Sequence, residues 1–156
     1  MKRFCICVLY DTKGIVGDYV ITYLKGLQTV CQKVFVVVNG DITEEGKQKL
    51  SQILPLDENH FYIRENKGLD FGAWKDSIAK IGYEEFKEYD ELVLTNTTCY
   101  GPIYPFSEMF EEMEKRDCDF WGITKHPEIK RHNKIRLNEH IQSYFVVFNK
   151  NVFLHS

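Results

Sequence analysis

Short apolar runs alternate with segments of helical periodicity, and this alternation constrains the fold more than any other feature of the chain. Residues 4–10 (FCICVLY) and 34–38 (VFVVV) are continuous apolar runs, which is typical of strands buried on both faces. Between them, apolar residues recur every three or four positions over residues 16–31, which predicts an amphipathic helix. The same succession is repeated along the chain, and it favours a mainly parallel sheet with helices on both faces.

The remaining elements are predicted from the same patterns and from turn residues. Further strands are expected at residues 61–64, 92–94, 120–123 and 144–148. Thr43, followed by two glutamates, opens a helix that runs to about Leu54, and Pro105 opens another. Asp70 is predicted to cap a helix before the fourth strand. The inner side of that helix would carry Phe71, Trp74, Ile78 and Ile81. We therefore predict one α/β domain over residues 1–156.

Composition excludes several classes of protein. Hydrophobic residues make up 44% and charged residues 28% of the chain, which is the balance of a soluble globular domain. A disordered chain, a collagen-like repeat and a membrane bundle are therefore excluded, and no apolar run is long enough to be a transmembrane segment. The formal net charge of −3 gives no whole-chain basis for nucleic acid as a partner.

The cysteine pattern and the first apolar run bear on the compartment. Five cysteines occur without a C-x-x-C pair and without a histidine at zinc-like spacing. Free thiols in a reducing compartment are therefore favoured over a disulfide framework or a metal site. The first run is faintly similar to a signal peptide, but Asp11 ends it and no small-residue cleavage site follows. We expect a cytoplasmic protein whose first run is a strand.

Polar residues follow each of the first four predicted strands. In open parallel sheets, ligands bind beyond the carboxyl ends of the strands, so these positions matter most. They are residues 10–12 (YDT), 39–41 (NGD), 64–68 (RENKG) and 95–98 (TNTT). A crevice lined in this way suits a polar, phosphate-bearing ligand. The alternative is that loops at strand ends are polar in any protein.

The segment at residues 64–74 (RENKGLDFGAW) is the most informative motif. Gly68 and Gly72 flank Asp70 at a strand-to-helix turn, where free amides and the helix dipole favour an anion. Arg64 adds positive charge, and Asp70 is suited to hold a sugar hydroxyl. The segment matches neither the dinucleotide fingerprint nor the Walker loop. In the alternative interpretation, Asp70 is only a helix cap and the glycines only form a turn.

Two later motifs also place polar groups at strand ends. Residues 92–102 (LVLTNTTCYGP) deliver Asn96, Thr97 and Thr98, which suit a sugar, a phosphate or a water on a hard cation; the alternative is an ordinary Asx or Ser/Thr turn. In residues 140–148 (HIQSYFVVF), His140 is a candidate general base, or else a hydrogen-bonded edge residue. Between these motifs, the basic residues 125–136 are predicted to form a loop, either solvated or closing over the crevice.

Taken together, these segments resemble a known family. Residues 65–75 (ENKGLDFGAWK), 89–102 (YDELVLTNTTCYGP), 119–124 (DFWGIT) and 140–148 (HIQSYFVVF) are similar in order and spacing to the rhamnan synthesis protein F family. The resemblance implies a GT-A-like (nucleotide-diphospho-sugar transferase) fold. It also implies transfer of a sugar, rhamnose or a related hexose, from a nucleoside-diphosphate sugar to a growing cell-surface polysaccharide, with inversion expected.

The resemblance further implies a set of site residues. Asp11 and Asn39 would lie near the nucleotide, and Asn96, Thr97 and Thr98 would face the diphosphate. The donor crevice would be lined by Arg64, Asn66, Gly68 and Asp70. The acceptor, a glycan or a lipid-linked glycan, would lie beside His140, Gln142 and Ser143. Candidates for the catalytic base are Asp119, Glu139 and His140.

Two departures from the family pattern leave alternatives open. Thr97 stands where the family has aspartate, so a divalent cation, Mg or Mn, loses its expected carboxylate ligand. The chain also stops soon after the sixth predicted strand, so we expect a donor-binding domain that is truncated relative to a full transferase. A non-catalytic nucleotide-sugar or glycan-binding module is the main alternative, and a flavodoxin-like domain is a third. Either a freely cytoplasmic location or a peripheral one at the inner face of the membrane fits these functions.

Overall fold

The computed structural model describes residues 1–131 and 134–154. The strands are β1 (Arg3–Leu9), β2 (Lys33–Asn39), β3 (Phe61–Arg64), β4 (Glu91–Asn96), β5 (Phe120–Gly122), β6 (Lys125–His126), β7 (Ile129–Arg131), β8 (Lys134–Leu137), β9 (His140–Ile141) and β10 (Phe145–Asn149). The helices are α1 (Asp18–Gln28), α2 (Glu44–Ser51), α3 (Leu69–Ile81), α4 (Tyr83–Phe86), α5 (Phe106–Met113) and α6 (Lys150–Phe153).

Six strands form one mostly parallel sheet in the order β3-β2-β1-β4-β10-β5. β1 pairs in parallel with β2 and β4, and β2 pairs in parallel with β3. β10 runs antiparallel to both of its neighbours, so β5 has the same direction as the first four strands. Two short antiparallel pairs, β6–β9 and β7–β8, form separate sheets. The predicted α/β class and the mainly parallel sheet are confirmed.

Helices cover both faces of the sheet, as the continuous apolar runs predict. Alternate residues of β1 enter different cores because side chains alternate across a strand. Cys5, Cys7 and Leu9 belong to one core with residues of α1, α2 and α5, whereas Phe4, Ile6 and Val8 belong to the other with residues of α3 and α4. All five cysteines are free thiols, as predicted, and three of them are buried.

The start of α3 differs from the prediction. Its N-cap is Gly68, in the left-handed conformation with φ 74°, and no side chain caps the helix. Asp70 is therefore not a cap. Phe71 is also not on the inner side, because 68% of it is exposed; its ring packs edge-on against Trp74, with 5.2 Å between ring centroids. The buried residues of the helix are Ala73, Trp74 and Ser77.

Other boundaries shift by a few residues, and one region was predicted wrongly. Thr43 caps α2 by accepting a hydrogen bond from the Gly46 amide, as expected, but the helix ends at Ser51. The basic segment that was predicted to be a loop contributes β6, β7 and β8 instead, with residues 132 and 133 outside the described residues. Within the described part of the chain, no helix has the length and apolar character needed to cross a bilayer.

Candidate functional site

Four parallel strands bring the predicted polar residues to one edge of the sheet. β3, β2, β1 and β4 lie side by side in the sheet. Arg64, Asn39 and Asn96 are the last residues of β3, β2 and β4, so all three lie at the carboxyl edge of the sheet. Asn39 and Asn96 are buried, at 1% and 5% exposure. Buried amides at a sheet edge need hydrogen-bond partners. Their partners therefore define the architecture of the site.

Arg64 fixes the loop that joins β3 to α3. Its Nε donates to Asp76 Oδ2 at 2.9 Å, its Nη1 to Asn39 Oδ1 at 2.6 Å, and its Nη2 to the Lys67 carbonyl at 2.8 Å. Asn39 in turn donates from Nδ2 to the Leu69 carbonyl at 3.1 Å. These bonds use most of the guanidinium donors. Arg64 therefore positions the loop and has little capacity left for a ligand.

The loop itself has a strained backbone. Gly68 and Leu69 are both in the left-handed region, with φ values of 74° and 52°. A left-handed leucine costs about 1–2 kcal/mol, and such strain concentrates at functional sites. Leu69 is 68% exposed, so its side chain gains little burial in compensation. The Gly68 carbonyl accepts from the Gly72 amide at 2.8 Å, which closes the first helical turn.

Asp70 and Asn96 form the centre of the site. Asn96 Nδ2 donates to Asp70 Oδ2 at 2.7 Å, while Asn96 Oδ1 accepts from the Thr98 amide at 3.1 Å and from the Thr98 hydroxyl at 2.6 Å. The turn after β4 is therefore an Asx turn, which was one of the two sequence interpretations. Asp70 retains a second carboxylate oxygen for which the described residues supply no hydrogen-bond donor.

Asn66 adds an unsatisfied acceptor to the same loop. Within the described residues, its buried Oδ1 has no hydrogen-bond partner. A buried acceptor that lacks a donor is unfavourable by about 1–3 kcal/mol, and a bound ligand can remove that penalty. The loop therefore combines a fixed frame with a buried acceptor that has no donor among the described residues.

Asp11 lies on the other side of the sheet edge from Asn39. Its Oδ1 accepts hydrogen bonds from the amides of Lys13 at 2.8 Å and Ile15 at 3.0 Å. These two bonds lower the pKa of the Asp11 carboxyl, and the bond from Ile15 has the larger effect. Asp11 and Thr97 line one small cavity between β1, α1 and the loop after β2. Asn39 bonds to the α3 side instead. The structure therefore places these two predicted nucleotide contacts on opposite faces.

A large apolar cavity holds three of the predicted acceptor-side and catalytic residues. It has a volume of about 1000 Å³ and lies between α3 and the β5–β10 end of the sheet. Glu139, His140 and Ser143 line it. Its walls are mainly Phe71, Trp74, Ile78, Leu94, Phe120, Ile141, Val146 and Phe148. A volume of this size accommodates a ligand as large as a sugar derivative.

The other predicted residues of this group lie elsewhere. Gln142 is bonded to Thr124, with 2.7 Å between Oε1 and the hydroxyl. Asp119 immediately precedes β5, and its carbonyl accepts from the Asn149 amide at 2.8 Å. The amino end of β5 is at the opposite edge of the sheet from Asn96, because β5 and β4 run in the same direction. The structure does not bring Asp119 together with Glu139 and His140.

The three motifs, although separate in sequence, are joined by direct hydrogen bonds. Asp70 of the first motif bonds to Asn96 of the second at 2.7 Å. The Asn96 amide donates to the Tyr144 carbonyl of the third motif at 3.2 Å, and Thr95 Oγ1 donates to the same carbonyl at 2.8 Å. Three motifs that are distant in the sequence thus form one continuous hydrogen-bonded network.

The sequence model for rhamnan synthesis protein F matches residues 34–156 of the chain. The chain belongs to this family. Membership indicates a role in the synthesis of rhamnan and related polysaccharides. No curated protein and no solved structure matches the chain. The matched range contains all three motifs and both walls of the large cavity.

The residues that form the walls of the large cavity were not predicted from the sequence as part of a site. Phe71, Trp74 and Phe148 were predicted only as core residues, yet all three line the cavity. The signal was present in residues 144–148 (YFVVF), where alternation puts Val146 and Phe148 on one face of β10. Sequence reasoning also missed Lys75, a cation at the same cavity.

The residues at the carboxyl edge do not fit a hard divalent cation. Thr97 is neutral and 6% exposed, and both polar atoms of the Asn96 side chain are already bonded. Within the described residues, no group of three or more His, Cys, Asp or Glu side chains is arranged to hold a metal ion. Mg²⁺ and Mn²⁺ prefer several oxygen ligands, carboxylates above all. The carboxyl edge therefore lacks the ligand set that Mg²⁺ or Mn²⁺ prefers.

Proposed function

We propose that this protein is a glycosyltransferase domain that transfers rhamnose or a related hexose from a nucleoside-diphosphate sugar to a growing cell-surface polysaccharide. The observation that carries the proposal is the hydrogen-bonded junction of the three family motifs at the carboxyl edge of the sheet. Ligands of open α/β sheets bind at that edge. The fold would be a GT-A-like one, and the acceptor a glycan or a lipid-linked glycan.

In this proposal the donor lies along the carboxyl edge. The open oxygen of Asp70 would accept a hydrogen bond from a sugar hydroxyl, as would the unpartnered Oδ1 of Asn66 once the donor displaces the groups that bury it. Gly68, which has no side chain, would allow close approach of the donor. Arg64 and Asn39 would hold this loop in place. The diphosphate would face Asn96, Thr97 and Thr98, and Asp11 would contact the nucleotide from the α1 side of the edge.

The acceptor would enter the large cavity and meet the donor at its rim. The reaction would be one displacement, in which an acceptor hydroxyl attacks the anomeric carbon, a base takes its proton and the nucleoside diphosphate leaves. Glu139 and His140 are the candidates for the base, because both line the cavity. His140 Nδ1 lies 2.8 Å from the Asn138 carbonyl, so Nδ1 carries the proton and Nε2 is free to accept one. Ser143 would hydrogen-bond the acceptor.

Titration calorimetry with thymidine- and uridine-diphospho-sugars, with and without Mn²⁺, tests donor binding. We expect binding that does not require the metal, since the departing diphosphate would be stabilised by backbone amides and nearby cations. Asn96→Ala should weaken binding roughly tenfold or more because it removes the centre of the network. The matched control Asn59→Ala, in an exposed turn, should leave binding unchanged. Absence of binding at millimolar donor would contradict the proposal.

The neutral Thr97 favours a second candidate function, a non-catalytic nucleotide-sugar or glycan-binding module. In that case the donor would bind, but no sugar would be transferred or hydrolysed. Thr97→Asp tests the missing ligand directly, since it should make donor binding stronger with Mn²⁺ if only that carboxylate is absent. Transfer that is lost in Glu139→Gln or His140→Gln, with donor binding retained, would support the enzyme over the module.

A further inference from the structure

The large cavity between α3 and the β5–β10 end of the sheet exposes an apolar face of β10. Phe145 and Val147 on one face of this strand are fully buried at 0% exposure, whereas Val146 and Phe148 on the other face are only half-buried. The half-buried pair lines the cavity. Contact between a continuous apolar surface and water is unfavourable, and such surfaces commonly mark binding sites for apolar groups.

The strand register gives the cavity a polar end and an apolar end. β10 is antiparallel to β4, and Phe148 pairs with Leu92, so β10 runs away from the carboxyl edge. Ser143 precedes β10 and therefore lies at the carboxyl edge, together with the donor site proposed above. Phe120 pairs with Phe148 at the opposite end, where their rings stack with 6.0 Å between centroids.

Helix α3 forms the other wall and runs in the same direction as β10. Trp74 Nε1 donates to the Thr95 carbonyl at 3.4 Å, which places this part of the helix beside the carboxyl end of β4. Ile78 and Tyr83 come later in the chain and line the cavity farther from that edge. From Trp74 to Tyr83 the chain advances by about two helical turns, or roughly 11 Å. The cavity is therefore a trough that extends from the carboxyl edge toward apolar side chains.

Two lysines line the cavity near its polar end. Lys75 follows Trp74 on α3, and Lys125 lies in β6, just after the carboxyl end of β5. Lys125 pairs with Glu139 at 2.8 Å, and the two side chains are 62% and 56% exposed. An exposed ion pair of this kind is weakly held, so Lys125 retains the capacity to contact another anion. Cations thus stand at one end of the trough, and hydrocarbon side chains line the rest of it.

We propose that this cavity binds a single-chain lipid phosphate, with the hydrocarbon chain between α3 and β10 and the phosphate at Lys75 and Lys125. A cationic rim on an apolar trough is complementary to an anionic head on an apolar chain. The inference rests on the proposed function for the role of this lipid, which would carry the glycan acceptor and direct its sugar toward the carboxyl edge. A glycan without a lipid would leave the apolar walls unmatched.

Fluorescence titration with alkyl phosphates, in the absence of donor, tests the site. Of the two tryptophans, Trp74 lines the cavity and Trp121 belongs to the core on the opposite face of the sheet, so Trp121→Phe leaves one reporter indole. Decyl phosphate brominated in mid-chain, kept below its micelle concentration, should quench Trp74 in a saturable way. Unbrominated decyl phosphate should compete at least about tenfold more tightly than hexyl phosphate, because each buried methylene adds to the affinity. Inorganic phosphate should not compete.

Calorimetry on the wild-type chain repeats the comparison of decyl and hexyl phosphate without the Trp121→Phe substitution. Lys75→Gln tests the head of the ligand: it should weaken decyl phosphate roughly fivefold and leave the binding of uncharged decanol unchanged. Lys80→Gln is the matched control, because Lys80 is on the same helix but does not line this cavity. It should keep the affinity of the wild type for both compounds.

Three results would overturn the inference: equal binding of decyl and hexyl phosphate, equal losses in the two lysine variants, or self-association of the chain that excludes the brominated probe, which would make a second copy the occupant. The donor titration described above is a separate measurement. Donor binding without alkyl phosphate binding overturns this inference alone. Alkyl phosphate binding without donor binding supports the lipid site and contradicts the transferase proposal.

Discussion

At the scale of single residues, the turn before α3 depends on one glycine for a steric reason. A Cβ on Gly72 would lie 2.1 Å from the Lys67 carbonyl oxygen, a distance that real structures do not allow. From the sequence, Gly72 was predicted only as part of a turn that favours an anion, whereas the structure shows that it allows close approach of the chain itself. The backbone between Arg64 and Asp70 can therefore follow its course only because residue 72 is a glycine and has no Cβ.

Gly72→Ala should accordingly shift the whole loop. We expect a loss of about 2–4 kcal/mol in the free energy of unfolding, measured by urea denaturation, because the overlap is with backbone. Amide resonances of residues 64–70 should shift in the same variant. Gly82→Ala is the control: its φ is 86° but nothing lies within 4 Å of the added Cβ. It should cost about 1–3 kcal/mol through backbone strain and leave those resonances in place. A Gly72→Ala protein as stable as the wild type would contradict the steric argument.

Asp70 shows why residue roles could be only partly predicted from the sequence. An aspartate just before a segment of helical periodicity is a good N-cap, and this is all that sequence spacing can reveal. In the folded chain, however, the buried Nδ2 of Asn96 needs an acceptor, and Asp70 supplies it across 26 positions. Such a bond depends on the register between α3 and β4, which a local pattern does not contain.

At the scale of secondary-structure elements, a buried arginine links β1, β4 and α5. Arg3 Nε donates to Glu91 Oε2 at 2.5 Å, and the guanidinium also pairs with Glu114 and lies 4.2 Å from the Phe110 ring centroid. The side chains of Arg3 and Glu91 are only 7% and 10% exposed. Removal of one partner from a buried pair leaves the other charge without compensation.

Arg3→Met should therefore lower the free energy of unfolding by about 3–5 kcal/mol, and the double variant Arg3→Met with Glu91→Met should recover most of that loss. Urea denaturation of the single and double variants measures both effects. Arg116→Met is the control, because Arg116 pairs with Glu112 on the surface with 60% of its side chain exposed. Such a pair contributes less than about 1 kcal/mol. Equal losses in the two single variants would refute the buried link.

Elements with a strong hydrophobic pattern were predictable, and elements without one were not. The predicted strand at residues 61–64 coincides with β3. The apolar run of β10 was predicted as a strand, but its antiparallel direction was not, because burial on both faces carries no information about direction. β6 to β9 consist mainly of polar and charged residues, so no periodicity marks them. Consequently the β6–β9 pairing, which places His126 opposite His140, was not predicted from the sequence.

At the scale of the whole molecule, the two faces of the sheet are covered unequally. On the side of α3 and α4, helices pack over β1 and its neighbours, but residues of β10 and β5 line the large cavity instead. Phe120 is 51% exposed and Phe71 is 68% exposed at its rim. An accessible apolar cavity of about 1000 Å³ should bind an amphiphilic probe in the native state.

Ala79→Trp tests whether this cavity is open in solution. Ala79 lines the cavity and is exposed, so an indole at this position occupies cavity space without displacing core side chains. We expect the wild type to bind the anionic dye anilinonaphthalene sulfonate with one saturable site, and the variant to bind it roughly tenfold more weakly. Lys80→Trp adds the same indole at the next residue, which does not line this cavity, and should keep the dye affinity of the wild type.

If both tryptophan variants bind the dye as the wild type does, the cavity is closed in solution, and the acceptor must approach the carboxyl edge by another route. If only Ala79→Trp loses the dye, the same variant should also weaken acceptor binding while donor binding at the sheet edge is unchanged, because the two ligands would occupy different parts of the molecule.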